Sequence, residues 1–245
     1  MPIQVIESQR LYQQIAEQIG ELIRGGEFRP GDRLPAERDL ARQLGVSRPV
    51  VREAMIALEI AGLVEVRTGS GIYVQGAEVD AKQAFALPDA GPSPFDVIAA
   101  RTLLEPEIAL MAAANASETD LDGIAETLRQ MQEFQRSGRS IKPADRLFHI
   151  RVAAATGNTV LASIIDSLWE HASAPIFDGL HARTQLAEHE CAALAEHADI
   201  LTALRDRNGP GARDAMRAHL ARTEAIMLAS APSSSDGLGS LPTQP

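Results

Sequence analysis

Residues 31–75 decide the fold of the first part of the chain and read GDRLPAERDLARQLGVSRPVVREAMIALEIAGLVEVRTGSGIYVQ. Within this stretch, Leu40 and Leu44 are spaced to lie on one face of a helix, and Gly45 can adopt the left-handed conformation that ends a helix. Pro35 suits the first turn of that helix, because its missing N–H would have no partner there. The pattern predicts a short helix that stops at Gly45.

A second helix is predicted directly after this turn. Ser47 is a good N-cap, and Pro49 again falls in a first helical turn. Apolar residues Val51, Met55 and Leu58 form the buried stripe of this helix. Arg48 and Arg52 are four residues apart, so we expect them to project together near its N-terminus. Two helices joined by a glycine turn indicate a helix-turn-helix.

Two short strands follow the helices. Residues 63–67 and 72–74 are rich in valine and other strand formers, and Thr68-Gly69-Ser70-Gly71 between them is typical of a hairpin turn. A recognition helix contacts DNA bases mostly through its N-terminal residues, and arginine can pair with guanine through its planar fork. Arg38 on the preceding helix can reach the same groove or a phosphate. The stretch therefore predicts a winged helix-turn-helix that binds DNA.

This part of the chain resembles the DNA-binding domain of GntR-type bacterial transcription regulators. The resemblance covers about residues 8–75 and is carried by Leu34-Pro35-Ala36-Glu37-Arg38, Gly45-Val46-Ser47-Arg48, Val51-Arg52-Glu53-Ala54 and Gly69-Ser70-Gly71. It implies that Arg38, Arg48 and Arg52 contact operator bases or nearby phosphates. It also implies that Ser47 belongs to this surface and that Gly69 lies at the wing tip in the minor groove.

Length and composition set limits on the rest. A chain of 245 residues is long enough for two modest domains, and its net charge of −10 is unevenly distributed. Residues 1–76 carry 9 basic and 10 acidic side chains, so the acid excess lies mostly outside the predicted DNA-binding part, where a local basic face is sufficient. No apolar run is long enough for a transmembrane helix, no signal peptide is recognisable, and the one cysteine is consistent with a reducing compartment. We expect a cytoplasmic protein without membrane contact.

The overall prediction is a mainly α protein in four parts: a winged domain over 1–76, a linker over 77–94, an all-α domain over 95–230 and a disordered tail over 231–245. The first helix is expected over 8–24, and a short helix is expected over 79–87. The all-α domain is predicted to be a bundle of six or seven helices, over 95–116, 117–136, 143–155, 159–169, 181–206 and from about 210 to 228. Pro106 predicts a kink or break in the first of them.

Four side chains of the bundle are candidates for a metal site. Asp145 and His149 are four residues apart on one predicted helix, and His197 and His219 lie on two later helices. Imidazole and carboxylate ligands suit zinc, nickel or similar ions. The Asp-x-x-x-His spacing is common, however, and on spacing alone a histidine is more often a surface or hydrogen-bonded core residue, the role we assign to His171, His181 and His189.

The bundle resembles the ligand-binding domain of the FadR branch of GntR regulators. The matching pieces are Arg101-Thr102-Leu103-Leu104-Glu105, Asp145-Arg146-Leu147-Phe148-His149, Gly157-Asn158, Glu196-His197 and Arg217-Ala218-His219-Leu220. Many members hold a divalent metal through one Asp and three His, and the matching positions here are Asp145, His149, His197 and His219. Zinc is favoured by this resemblance, with nickel or manganese as alternatives, and an acyl-CoA ligand is disfavoured.

The resemblance also implies an effector. In metal-holding members it is typically a small organic or sugar acid whose carboxylate meets the metal, and Arg101 fits the assisting arginine. The wing from Val64 to Val74 and the Leu104-Glu105-Pro106-Glu107 segment are similar to regulators of hexuronate and related sugar-acid catabolism.

The resulting hypothesis is a homodimeric, metal-containing transcription regulator that binds a palindromic operator and responds to a small carboxylate, rather than an enzyme. Repression relieved by the ligand is favoured, and activation stays open. Two alternatives remain: an all-α metalloenzyme acting on a small acid, and an architectural DNA binder whose bundle only dimerises.

Overall fold

The computed structural model describes residues 10–67, 70–75, 90–181 and 186–229, with the backbone alone for residue 181 and residues 186–191. The chain divides into two compact units, one within residues 1–90 and one over Gly91–Ala229. The predicted helix over 79–87, most of the predicted linker and the predicted tail lie outside the described residues. In the described part of the chain, no helix is both long and apolar enough to cross a bilayer.

The first unit contains three helices and a two-stranded sheet. Its elements are α1 (Leu11–Arg24), α2 (Glu37–Leu44), α3 (Arg48–Ile60), β1 (Val64–Arg67) and β2 (Gly71–Val74). The strands are antiparallel, with Val64 opposite Val74 and Arg67 opposite Gly71. Helix α3 packs against α1, α2 and β1 and is buried along Val51–Leu58. The predicted winged helix-turn-helix is confirmed.

The turn between α2 and α3 forms as its sequence predicts. Gly45 has a φ of 69°, and its N–H donates to the carbonyl of Ala41. Ser47 occupies the N-cap position of α3, although its side chain makes no capping hydrogen bond. The left-handed residue ends α2 and redirects the chain into α3.

The predicted start of α2 at Pro35 is wrong. The helix begins at Glu37, with Ala36 as its N-cap. The preceding residues are extended because the N–H of Leu34 donates to the carbonyl of Ile72 at 2.9 Å, which ties this segment to the wing. A tertiary hydrogen bond therefore overrides the local preference of proline for a first helical turn.

The second unit is a helical bundle. Its elements are α4 (Pro94–Asn115), α5 (Glu118–Arg136), α6 (Lys142–Ala154), α7 (Thr159–His171), α8 (Pro175–His181), α9 (Leu186–Arg205) and α10 (Gly209–Ala229). Helix α4 packs against α10, α6, α9 and α7, so it is the common partner of the helices that carry the candidate ligands. Ser93 and Ser117 cap α4 and α5 by accepting from Asp96 N and Asp120 N.

Pro106 does not break its helix. Helix α4 is continuous from Pro94 to Asn115, and Pro106 lies inside it. An interior proline costs about 3 kcal/mol of helix stability. Burial of Ile108, Ala109, Ala112 and Ala113 just beyond it offsets that cost, because most helical stability in proteins comes from tertiary packing.

The predicted helix over 181–206 is wrong at its start. His181 is the last residue of α8, and α9 begins at Leu186. Helix α8 has only seven residues, of which Ile176, Phe177 and Leu180 are buried. So short a segment has too few turns for its periodicity to be recognised in the sequence.

Candidate functional site

The N-terminus of α3 presents the side chains expected to face DNA. Ser47 and Arg48 are exposed there, next to the glycine turn. On α2, the side chain of Arg38 is 71% exposed and lies 3.9 Å from Asp39, a distance at which the ion pair is weak. These three predicted residues are accessible to a nucleic acid.

Arg52 does not lie on this surface, contrary to the prediction. Its side chain is 2% exposed, and Nη2 lies 3.3 Å from Oε2 of Glu37, which is also buried. The four-residue spacing from Arg48 did not place the two arginines together, because α3 is already buried on this turn. Arg52 instead joins α3 to the start of α2.

The wing carries one further exposed arginine. Arg67 lies over the ring of Tyr73 at 4.6 Å, and its guanidinium donates to Glu65. Glu65 and the adjacent Arg67 therefore largely cancel each other's charge on β1. Gly69, the predicted wing tip, lies outside the described residues.

The four candidate metal ligands come together in the bundle. Asp145 and His149 lie on α6, His197 on α9 and His219 on α10. One possible ligand atom from each lies within 4.8 Å of those of the other three. Nε2 of His197 is 2.9 Å from Oδ1 of Asp145 and 3.4 Å from Nε2 of His149. Three helices that are distant in sequence thus place one carboxylate and three imidazoles around a common point.

In each of the three imidazoles, an oxygen atom lies within hydrogen-bond distance of Nδ1. Nδ1 of His149 contacts Oε2 of Glu105, Nδ1 of His197 lies 2.6 Å from the carbonyl oxygen of Ala193, and Nδ1 of His219 lies 3.0 Å from Oε2 of Glu196. Contacts of this kind fix the tautomer and the ring orientation of metal-binding histidines. They leave Nε2 of every ring available as a ligand.

Oδ1 of Asp145 provides a test of whether these residues fit a metal ion. This atom is buried and makes no hydrogen bond of normal geometry within the described part of the chain, although two imidazole nitrogens lie 2.9 and 3.3 Å away. A buried, unpaired carboxylate oxygen is costly. A cation shared with the imidazoles would satisfy it, so the residues present fit a divalent metal.

Burial and the carboxylates of Asp145, Glu105 and Glu196 set the pKa values in the cluster. Burial alone would raise the pKa of Asp145, but His149 and His197 beside it hold that pKa well below its usual range. Burial would lower the pKa of His149, yet Glu105 and Asp145 raise it. Burial lowers the pKa of His219 to about 4, so this ring is neutral at pH 7 and able to act as a ligand.

No role is predicted from the sequence for Glu105, which supports the cluster from α4. It is 2% exposed, and its Oε1 accepts from Nε of Arg101 at 2.6 Å while its Oε2 contacts His149. Burial alone would raise its pKa, but Arg101 and His149 lower it to about 2. The signal that was available is the four-residue spacing between Arg101 and Glu105, two charged residues on a helix that is otherwise largely apolar.

A cavity of about 190 Å³ lies against the cluster. Asp145, His219 and Arg101 all line it, together with the aromatic side chains Trp169 and Phe177. The guanidinium carbon of Arg101 lies 4.2 Å from the centre of the Trp169 ring. The volume is below the range of about 300–1,000 Å³ typical of pockets for drug-sized ligands, so the cavity suits a small molecule.

Glu196 and Arg222 form a second pair for which no role is predicted from the sequence. Both line the cavity, and Nε of Arg222 lies 3.2 Å from Oε1 of Glu196. Glu196 thus contacts a cavity arginine, Arg222, and a candidate ligand, His219, just as Glu105 contacts Arg101 and His149. Of the remaining histidines, His171 is exposed at the end of α7, and the side chains of His181 and His189 lie outside the described residues.

Comparison with known proteins identifies both units. The family described as bacterial regulatory proteins of the gntR family matches residues 11–74, and the FCD domain matches residues 96–222. The chain is 38% identical over 233 residues to the Exu regulon transcriptional regulator of Escherichia coli, covering 92% of this chain and 87% of that protein. It is 36% identical over 213 residues to the Uxu operon regulator of Haemophilus influenzae, covering 86% of this chain and 79% of that protein.

A solved structure agrees with the fold. The Escherichia coli protein McbR/YncC is similar with a TM-score of 0.50 and 22% identity, over 90% of this chain and 98% of that chain. The family and the two relatives named above are transcription regulators, not enzymes. The chain therefore belongs to the GntR family of bacterial transcription regulators and combines its winged DNA-binding domain with an FCD domain.

Proposed function

We propose that this regulator is a cytoplasmic homodimer that binds a palindromic operator and changes its DNA affinity when a small carboxylate binds at a divalent metal. DNA binding is assigned to residues 1–76, and effector binding and dimerisation to residues 95–230, with 77–94 as the linker. One observation carries the effector part: Asp145, His219 and Arg101 line the same small cavity.

The metal would be held by Asp145, His149, His197 and His219. Three nitrogen ligands and one carboxylate favour zinc, with nickel or manganese as alternatives. A metal bound there would supply a Lewis-acid position for one carboxylate of the effector. Arg101 supplies a second positive charge in the same cavity, and its contacts with Glu105 and Trp169 hold its guanidinium in one orientation.

We assign the effector to the sugar acids or related small organic acids. Two relatives with more than 35% identity are named for the Exu regulon and the Uxu operon. The wing and the Leu104-Glu105-Pro106-Glu107 segment also resemble regulators of hexuronate and related sugar-acid catabolism. A cavity of about 190 Å³ is compatible with a molecule of this size. Repression that the acid relieves is the favoured behaviour.

Operator binding is assigned to the exposed residues Arg38, Ser47 and Arg48, and to Gly69 of the wing. Two winged domains of a dimer would read successive major grooves of an imperfect palindrome. The effector can change DNA affinity only through its different affinities for the DNA-binding and non-binding arrangements of the dimer. The buried Arg52 is not included in this set.

A thermal-shift screen of the metal-loaded protein against sugar acids and short hydroxy or dicarboxylic acids tests the proposal, with each ligand repeated after chelation. A ligand at 100 times its Kd stabilises the folded state by about 2.7 kcal/mol. A stabilising acid whose effect disappears with chelation, and which alters binding to operator DNA, is the expected result. Turnover of the acid would instead identify a metalloenzyme, and the absence of any ligand response would identify an architectural DNA binder.

A further inference from the structure

One face of α10 runs along the cavity. The lining residues from this helix are His219, Arg222, Thr223, Ile226 and Met227. Their spacing of three, four, seven and eight residues places them on one stripe of the helix. With a rise of 1.5 Å per residue, Arg222 and Thr223 lie about 4.5–6 Å along the axis from His219. Along α10, the cavity wall thus begins at the candidate metal ligand His219, continues with the polar residues Arg222 and Thr223, and ends with the apolar residues Ile226 and Met227.

The guanidinium of Arg222 is oriented by its neighbour on α9. Nε of Arg222 lies 3.2 Å from Oε1 of Glu196, and Oε2 of Glu196 is 3.0 Å from Nδ1 of His219. The side chain of Arg222 is 48% exposed although it lines the cavity. A guanidinium has five N–H groups. The pair with Glu196 engages the Nε side, and within the described part of the chain no other carboxylate pairs with the terminal nitrogens, so they can donate to a ligand.

Thr223, the next residue along α10, can supply a hydrogen-bond acceptor beside the donor groups of Arg222. Its Oγ1 donates to the carbonyl oxygen of His219 at 3.1 Å, so its lone pairs remain able to accept a hydrogen bond. A ligand hydroxyl both donates and accepts, and it therefore matches a neighbouring Arg donor and Thr acceptor. A second carboxylate could pair with Arg222, but it cannot donate to Thr223, and it would meet the negative charge of Glu196, which already pairs with Arg222 and lines this part of the cavity.

We propose that Arg222 and Thr223 form a hydroxyl-binding subsite that selects hydroxylated monocarboxylic acids over alkanoic and dicarboxylic acids of the same length. The proposal rests on the proposed function, in which the acid group lies at the metal near His219. The hydroxyls would then meet α10 one helical turn further along. Ile226 and Met227 in the next turn would limit the length of the acid and disfavour a charged far end.

The test compares six-carbon acids on the full-length, metal-loaded protein by calorimetry. The hydroxylated probes are glucuronate, galacturonate, gluconate and galactonate, and the reference probes are hexanoate and adipate. The variants are Arg222→Met, which keeps the apolar stem, and Thr223→Val, which keeps the shape. Arg217→Met is the matched control, because Arg217 lies on the same helix, is 52% exposed, pairs with Asp214 and does not line the cavity.

The expected result is a preference of the wild type for at least one hydroxylated acid. Arg222→Met should weaken binding of that acid by about tenfold or more, and Thr223→Val should weaken it by a smaller factor. In each variant one hydrogen bond to the acid is lost. In both variants, the affinity for hexanoate should change by less than about twofold. The control Arg217→Met should change the affinity for neither the hydroxylated acid nor hexanoate. Metal affinity, measured by competition with a chromophoric chelator, should remain close to that of the wild type in both variants.

Three results would overturn the proposal. Arg222→Met could weaken the binding of hexanoate and of the hydroxylated acid equally, or only in proportion to a reduced metal affinity. Either result would show that Arg222 acts only through Glu196 and His219. Hexanoate or adipate binding as tightly as the hydroxylated acids would reject the subsite while leaving the proposed carboxylate function intact. If the metal-loaded wild type bound none of the six acids, the subsite would be rejected, and the proposed function would fail as well only if the shorter hydroxy and dicarboxylic acids of the thermal-shift screen also gave no response.

Discussion

At the scale of single residues, the same side-chain type has different roles depending on burial. Arg48 and Arg52 lie one helical turn apart, yet Arg48 is exposed and Arg52 is 2% exposed and paired with Glu37. Arg101 and Arg222 both line the cavity, and each contacts a carboxylate that also contacts a candidate metal ligand. The role of each arginine therefore follows from its burial and from the carboxylate that it contacts, rather than from its position in the helical pattern.

Arg48→Ala should weaken operator binding by roughly 1–3 kcal/mol if the side chain reads a base. The unfolding temperature should not change, because Arg48 is exposed. Fluorescence anisotropy with labelled operator DNA measures the affinity. Arg129→Ala, which removes an equal charge from a 69% exposed position in the bundle, is the control. Unaltered binding by the Arg48 variant would remove it from the DNA-reading set.

Glu105→Gln should lower metal affinity by about 10–100-fold, because the carboxylate behind a metal-binding histidine orients the ring and increases its basicity. Competition with a chromophoric chelator measures this affinity. Glu107→Gln is the control, because Glu107 lies on the same helix and its side chain is 56% exposed. Its metal affinity should equal that of the wild type. Equal affinities for the Glu105 variant and the wild type would contradict a positioning role.

At the scale of elements, the buried Glu37–Arg52 pair joins the two helices of the DNA-binding motif. Glu37 is the first residue of α2, and Arg52 lies in the second turn of α3. Both side chains are nearly inaccessible, so neither can be solvated by water if the other is removed. The angle between α2 and α3, on which the placement of Arg38 and Arg48 depends, is thus stabilised by a charge pair as well as by apolar packing.

Arg52→Met should destabilise the folded winged domain by about 3–5 kcal/mol, because it leaves the carboxylate of Glu37 buried without its partner. Denaturant unfolding of the full chain gives the free energy, and Arg48→Ala serves as the exposed control with little expected change. A double variant, Arg52→Met with Glu37→Leu, should recover part of the loss. If Arg52→Met had normal stability but lost operator binding, Arg52 would contact DNA directly.

At the scale of the whole molecule, the candidate metal site joins three helices of the bundle. Its ligands come from α6, α9 and α10, and its supporting carboxylate Glu105 comes from α4. A metal bound there would connect four helices at one point, next to the cavity. The proposed effector, bound in this cavity, would contact residues of the same four helices.

His197→Ala should reduce both bound metal and effector affinity while leaving operator binding of the ligand-free protein close to that of the wild type. The reason is that His197 is fully buried in the bundle, whereas the predicted DNA contacts lie in the winged unit. Metal content by mass spectrometry and anisotropy with and without the effector measure these quantities. His171→Ala, at an exposed position, is the control. A wild-type metal content in the His197 variant would reject the four-ligand assignment.

The sequence alone was sufficient for the features that depend on neighbours in the chain. Gly45 ended α2, one strand ended at Arg67 and the next began at Gly71, and the four-residue spacing of Asp145 and His149 placed them on one helical face. Periodicity and turn chemistry act over one or two turns of chain, so they can be recognised without a tertiary structure. The helical character of the second unit followed from the same signals, as did six of its seven described helices, whereas the short α8 did not.

Only the tertiary structure decided which distant residues meet. Glu37 and Arg52 are 15 residues apart and Glu105 and His149 are 44 apart, and no local pattern indicates either contact. The same holds for the extended segment before α2, which a hydrogen bond from Leu34 to the wing keeps out of the helix, and for Pro106, which packing retains inside α4. Helical spacing predicts the face on which a side chain lies. Whether that face meets water, DNA or a buried partner depends on how the helices pack.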